Sequence, residues 1–521
     1  MTDQLQSHLA GAWTDGEGDP IDLYNPATGA VVAQTRRATG LDQAVQHARS
    51  VGGPAVRALT FAQRGECLKA MAKLLHEHRE ELIALAVSNG GNTRGDAKFD
   101  IDGATAVLAT YAFLSKSLGD KRWLARGEAT EVMRGAKVRS QDVWVPRSGV
   151  AIQINAFNFP AWGMVGKLAV AFLAGMPTVA KPATSSTVVA ERIAHILIDS
   201  GLLPDGALSF VSGPVGDLLD HVQSQDVIAF TGSADTGRRI RMHDVVVANS
   251  VRVNVEADSL NAAIIGPDVE SGSELFDLAI RDCTTEITQK AGQKCTATRR
   301  ILVPSERLDE VRDALIERLG VMIDKIGDPS NKDVRMGPLA SARQLTDARE
   351  GVATLSAAAE RVFGDPQRDE FVGVEKGQGC FLEPILLQAT EESAKDPSAA
   401  FHKVEVFAPV ATLLPYDGTV EAAEAILAAG QGSLVSTLYS DDRAFCADAV
   451  ARLAPYLGRL VVANEKGAGA SIPPGCVFAV CNHGGPGRAG GGSELGGIEG
   501  LQLYMQRTSI QGGASQLAKM L

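Results

Sequence analysis

From about residue 150 the chain alternates short apolar runs with stretches whose apolar residues recur at helical spacing. Residues 150–154, 178–180, 208–211 and 227–230 read as short buried strands. Between and after them 162–174, 186–199, 215–223 and 235–243 read as helices, the first stopped by Gly175 and Pro177. Residues 251–255 and 262–265 continue the strand series. Strands alternating with helices predict βαβ units, hence a parallel sheet with helices on both faces. A second series follows: helix 275–290 ending near Gly292, strand 300–303, helix 307–319, strand 410–415, helix 420–428, and strands 434–439 and 460–463. Two α/β layers predict two domains with a cleft between them.

Two segments fit neither series. Residues 128–146 (EATEVMRGAKVRSQDVWVP) alternate polar and apolar around Gly135, as a hairpin does, and 501–510 also reads as extended. Both readings stay open here: an arm pairing two subunits, or a local surface hairpin. In 484–500 (GGPGRAGGGSELGGIEG) nine of seventeen residues are glycine, which suits either a flexible linker or backbone wrapping closely around a ligand.

Composition narrows the function classes. At about 100–200 residues per domain, 521 residues allow two to four domains. The net charge of −12 provides no cationic field for nucleic acid. No run reaches the roughly 18 apolar residues of a membrane span. The start, MTDQLQSHLAGAW, lacks the basic and apolar regions of a signal peptide. Seven scattered cysteines, an odd number without a CxxC pair, fit free thiols in a reducing compartment, so a cytoplasmic protein is expected.

Several motifs carry candidate chemistry. In GQKCTATRR (292–300), Cys295 lies between a helix and a strand at the expected interdomain seam. A thiolate is a strong nucleophile once cations or backbone N–H groups lower its pKa; a lone cysteine is also commonly a small core hydrophobe. In INAFNFPAW (154–162), Asn158 follows a strand and could donate to an oxyanion, or simply form an Asx-turn. In VNVEADSLN (253–261), Glu256 ends an apolar strand, where it could activate water or form a strand-end ion pair. FTGSADTG (230–237) joins strand to helix through Phe230, Gly232, Ser233 and Gly237. It is neither GxGxxG nor a Walker loop, but its helix N-terminus suits a phosphate. Lys181 in VAKPATSST (179–187) could reach a ribose or phosphate, and Glu405 in EVFAP (405–409) a ribose. A solvated lysine and a capped turn are the plain alternatives.

Together and in this order, from about Trp13 to Gly512, these motifs resemble the aldehyde dehydrogenase superfamily. That resemblance implies an α/β fold with a Rossmann-like dinucleotide-binding domain (1–125 and 147–262), an α/β catalytic domain (263–470) and a β oligomerisation arm (126–146 and 495–515). It implies Cys295 as nucleophile, Asn158 as oxyanion donor and Glu256 as the base that activates water. Lys167 and Glu494 resemble a proton-relay pair. Lys181, Thr184, Phe230, Gly232, Ser233, Gly237, Glu405 and Phe407 fall at cofactor-binding positions. A homodimer and no metal are expected.

Departures refine this. Thr184 stands where many NAD-preferring members carry a glutamate that repels a 2′-phosphate, so NADP is the expected cofactor, with NAD possible. Glu256-Ala257-Asp258-Ser259 replaces the usual E-L-G-G, and Ala408 replaces the Gly of E-x-F-G-P. AFNFP, VEADSLN and GGPGRAGGGSELGG are similar to one branch, whose members oxidise semialdehydes formed in aerobic aromatic degradation. The expected substrate is therefore a small aldehyde carried as a CoA thioester, with the Gly- and Pro-rich stretch 471–492 shaping an open entrance for CoA. A CoA-acylating dehydrogenase and a general semialdehyde dehydrogenase are alternatives; Glu256 weighs against the former. A non-catalytic binding protein on the same scaffold is a third, and the intact Cys295, Asn158 and Glu256 weigh against it.

Overall fold

The computed structural model describes residues 3–135, 137–470 and 472–520. Ala136 in the expected hairpin and Ser471 at the start of the expected entrance segment lie outside it.

The first large sheet runs Arg252–Glu256, Val227–Thr231, Ala151–Ile154, Thr178–Lys181 and Leu208–Phe210, all parallel, and ends on antiparallel Ser7–Leu9 and Ala12–Thr14. From Ala151–Ile154 the chain builds outward twice in one direction, then crosses back to lay Val227–Thr231 on the other side. That reversal opens a crevice at the strands' carboxyl ends, the usual ligand position in a doubly wound sheet. Helix Pro160–Ala174, almost wholly buried, packs under this sheet. Pro160 occupies its first turn, and Asp100 from helix Arg94–Leu118 accepts from the Ala161 and Trp162 N–H groups.

The second sheet orders Glu360–Phe363, Ile385–Gln388, Val410–Tyr416, Arg300–Pro304, Ala262–Ile265, Ser433–Tyr439 and Leu457–Ala463, parallel except for the first. Its strands are buried on both faces: Ala262 and Ile264 join one core, Ala263 and Ile265 the other. This explains their unbroken apolar sequence.

Leu124–Glu131, Val138–Pro146 and Met505–Gly513 form a separate antiparallel sheet, in register from Met505 opposite Pro146 to Gly513 opposite Val138. The two segments that fitted neither series therefore pair with each other. The C-terminal strand starts later than its pattern suggests, because Gly497–Tyr504 forms a 3-10 turn first. Residues 215–223 are not a helix. Gly216 takes a left-handed φ of 56°, leaving only a short 3-10 turn, Leu218–His221. The long helix ends at Thr288 rather than 290, for a reason given below.

The glycine-rich stretch is close-packed backbone. Ala257 N–H donates to the Ala489 carbonyl at 3.1 Å. A Cβ on Gly490, at φ 103°, would lie 2.2 Å from the Val255 carbonyl oxygen. Gly490→Ala should therefore push on the Glu256 strand and cost about 2 kcal/mol. Thermal unfolding should show a lower Tm together with reduced turnover; an unchanged Tm would contradict this packing.

Candidate active site

Thr231 and Glu256 end adjacent parallel strands and are register partners. Their side chains meet, with Thr231 Oγ1 donating to Glu256 Oε2 at 3.3 Å. Lys167, in the buried helix, donates to Thr231 Oγ1 at 2.6 Å and pairs with Glu494 Oε2 at 3.2 Å. Asn254 Nδ2 donates to the other Glu494 oxygen at 3.2 Å. Burial raises the Glu494 carboxyl, and the nearby Glu256 charge adds to this against Lys167. Lys167 and Glu494 are thus brought together beside Glu256.

Cys295 arrives from the second sheet's side. After Thr288 the backbone turns through Lys290 (φ 54°), Ala291 (φ 50°) and Gly292 (φ 67°), three left-handed residues in succession. Such a conformation costs a non-glycine residue about 1–3 kcal/mol, so it must be held from outside. Asp96 accepts from Lys290 N–H, and Asn92 from Lys290 Nζ at 2.6 Å. Arg299 donates to the Gly292 and Ala408 carbonyls. Asn261 Nδ2 donates to the Cys295 and Ala297 carbonyls at 2.7 and 2.9 Å. Asn158 Nδ2 donates to the Gln293 carbonyl at 3.0 Å.

Asn158, Lys167, Thr231, Glu256, Cys295 and Glu494 all line one cavity. Neither nearby cation faces the thiol. Lys294 points away to Glu286, at 2.8 Å, and Arg299 is committed to carbonyls. Burial, then the Glu256 charge, push the Cys295 thiol well above its ordinary range. Burial would raise Glu256 too, but His483 and Lys167 outweigh it and hold the carboxyl below the usual range. The resting pair is a neutral thiol facing an ionised carboxylate. Glu256 Oε1 is buried and has no hydrogen-bond partner among the described residues.

His483 was missed by sequence reasoning. Its Nε2 lies 3.1 Å from Glu256 Oε2 and 3.9 Å from Cys295 Sγ. A lone histidine before two glycines carries no periodic or spacing signal. Glu256, Cys295 and His483 bring an oxygen, a sulfur and a nitrogen within 4.8 Å of one another.

The remaining candidates lie outside that cavity's lining. Lys181 is buried at its strand end, its pKa pushed down to about 8 by that burial, and donates to the Pro182 carbonyl. Thr184 begins a 3-10 turn and is half-buried. Ser233 caps helix Ala234–Arg241 by accepting from Thr236 N–H. Asp258 accepts from Ala234 N–H at 3.0 Å, so a carboxylate already stands at that helix start. Phe230 is not on the crevice wall. Its ring is core, with Gly232 and Gly237 close above it, where a side chain on Gly232 would clash. Glu405 accepts from Ser259 N–H, while its Oε1 is buried without a hydrogen-bond partner among the described residues. Burial pushes its pKa up to about 7, although Arg299 pulls the other way. Phe407 lies under the Arg299 guanidinium. Glu405 Oε1, which faces Arg299 Nε at 3.5 Å without a hydrogen bond, and the buried Lys181 at its strand end fit the hydroxyls of a dinucleotide.

A carbonyl carbon entering this cavity meets sulfur, an amide donor and a carboxylate, beside a crevice suited to a dinucleotide. The chain belongs to the aldehyde dehydrogenase family, whose model matches residues 13–510. It is an oxidoreductase that acts on aldehydes with a nicotinamide cofactor, built on the α/β fold of that family. It is 42% identical, over 93% of both chains, to the protein of Aromatoleum evansii named 3,4-dehydroadipyl-CoA semialdehyde dehydrogenase. It is 26% identical to the D-glyceraldehyde dehydrogenase (NADP(+)) of Thermoplasma acidophilum, over 77% of each chain. A solved betaine aldehyde dehydrogenase from Staphylococcus aureus, a point mutant in complex with NAD+, superposes with a TM-score of 0.83. It is 25% identical, and the match covers 99% of this chain and 98% of that one. Among the described residues no helix is long and apolar enough to cross a membrane.

The raised thiol pKa has a measurable sign. Alkylation by iodoacetamide follows the thiolate, so Cys295 should react appreciably only on the alkaline side of an ordinary cysteine. Glu256→Gln removes the repelling charge and should move that profile to lower pH. An unchanged or opposite shift, followed by peptide mass spectrometry, would contradict the charge balance.

Proposed function

We propose that this enzyme oxidises a semialdehyde carried as a CoA thioester to the corresponding acid, using NADP. The substrate we favour is 3,4-dehydroadipyl-CoA semialdehyde, in the aerobic degradation of benzoate and related aromatic acids. The meeting of Cys295, Asn158 and Glu256 around one cavity carries the reaction type. The name borne by the relative at 42% identity supports the substrate class.

Cys295 Sγ loses its proton to the neighbouring base and bonds to the aldehyde carbon. The Cys295 N–H and the second N–H of Asn158 Nδ2, whose first is held by the Gln293 carbonyl, donate to the oxyanion. A bound dinucleotide would supply the hydride acceptor that turns this adduct into a thioester on Cys295. Thr231, Lys167 and Glu494 carry the thiol proton away from Glu256 before hydrolysis. Glu256 Oε1 then takes a proton from water, whose oxygen attacks the thioester carbon. The carbon–sulfur bond breaks, the acid leaves, and the sulfur recovers that proton from Glu256.

Lys181 and Thr184 would hold the adenosine ribose of the cofactor, Glu405 and Phe407 its nicotinamide ribose and ring, and Ser233 with Gly232 and Gly237 the phosphates between them. Thr184 offers no negative charge against a 2′-phosphate. Residues 1–125 and 147–262 form the dinucleotide-binding domain and 263–470 the catalytic domain. The arm, 126–146 and 495–515, pairs two copies into a homodimer. Exposed Val132 and Met133 at the hairpin tip suit such pairing.

Cys295→Ala should lower aldehyde oxidation by about a thousandfold or more while NADP binding, followed by fluorescence titration, persists. Retained turnover would overturn the mechanism. Assayed by absorbance of the reduced cofactor, Thr184→Glu should shift selectivity toward NAD by about tenfold or more, since it sets a charge against the 2′-phosphate. Unchanged selectivity would remove the basis for NADP preference.

A further inference from the structure

The two oxygens of Glu256 are treated differently by the protein. Oε2 lies 3.1 Å from His483 Nε2 and 3.3 Å from Thr231 Oγ1, whereas Oε1 is buried with no hydrogen-bond partner among the described residues. A buried carboxylate oxygen left bare is costly, and it stays bare only where its partners are fixed elsewhere or a reactant serves it.

His483 is itself held firmly. Residues Asn482–His483 form a short antiparallel ladder with Glu494–Leu495, placing His483 opposite Glu494. The next residue, Gly484, packs backbone to backbone; a Cβ on Gly458 would fall 1.6 Å from the Gly484 carbonyl oxygen. The imidazole is 14% exposed, and its Nδ1 has no partner among the described residues. One Nε2–H cannot serve both neighbours. At 3.1 Å to Oε2 against 3.9 Å to Cys295 Sγ, the carboxylate receives it.

We propose that His483 is a positioning residue for the deacylation base: with Thr231 it clamps Glu256 Oε2, so that Oε1 is aimed at the water attacking the thioester. This deepens the function proposed above, since it rests on Glu256 being that base. The proton moves from water to Oε1, and His483 neither gains nor loses one in the step. The other charged or titratable groups facing Glu256 are Lys167 and Glu494, on its far side through Thr231, and Cys295. His483 therefore supplies the donor on the cavity side. It also helps hold the carboxylate ionised, so its loss should move the acid limb of deacylation to higher pH.

The test uses the full chain and p-nitrophenyl acetate, which acylates a reactive thiol without cofactor and releases p-nitrophenol. The initial burst reads acylation of Cys295 and the steady state reads hydrolysis of the thioester. His483→Phe should keep the burst, lower the steady-state rate by about tenfold or more, and shift the acid limb upward. His483→Gln, whose amide N–H can still reach Oε2, should recover part of both. Wild-type deacylation and pH profile in His483→Phe would overturn the proposal. So would loss of the burst in both variants, because His483 would then act on the thiol or the fold. Glu256→Gln separates this from the parent reading: if that variant deacylates normally, Glu256 is not the base. If it is defective while His483→Phe is normal, only the role of His483 falls.

Discussion

Cys295 reaches the end of the first sheet because the chain reverses through Lys290, Ala291 and Gly292 in left-handed conformation. Two of these residues carry a Cβ that opposes this backbone. The conformation survives because Asp96 and Asn92, at the start of a helix packed against the one that underlies the first sheet, accept from the backbone N–H and the ammonium of Lys290. The strain is thus held by groups belonging to the other half of the molecule. The nucleophile and the strand ends are locked to each other by the same contacts that terminate helix Glu274–Thr288. Release of that turn would separate sulfur from carboxylate without changing either residue.

Around this joint the protein buries several charges in pairs, Lys294 with Glu286 and Lys167 with Glu494. Such pairs add little net stability, because desolvation offsets their attraction. Their use here is directional. Lys294 is turned away from the thiol, which leaves the Glu256 charge and burial to set its protonation. A nucleophile kept as a neutral thiol until its base acts is protected from adventitious oxidation and alkylation, which require the thiolate.

Much of the architecture was legible in order along the chain. Both parallel sheets announced themselves through apolar runs buried on two faces, as at Ala262–Ile265. The small antiparallel sheet was visible as two leftover extended segments, which the family resemblance grouped together. Local signals misled where a short turn competed with helical spacing, as at Gly216, and where tertiary contacts overrode a helix, as at Lys290. Phe230 stood within a phosphate-like motif, yet side chains alternate across a strand and its ring went to the core.

Residue types and their order determined the reaction class: a cysteine, an asparagine at a strand end and a carboxylate at another strand end, within a recognisable set of motifs. Only the tertiary structure decided which oxygen of Glu256 is free, why the thiol is neutral, and that His483 stands beside both. Those properties depend on distances of three to four ångströms between residues far apart in the chain. No local pattern encodes such distances, because they are set by packing two sheets and a glycine-rich strap against one another.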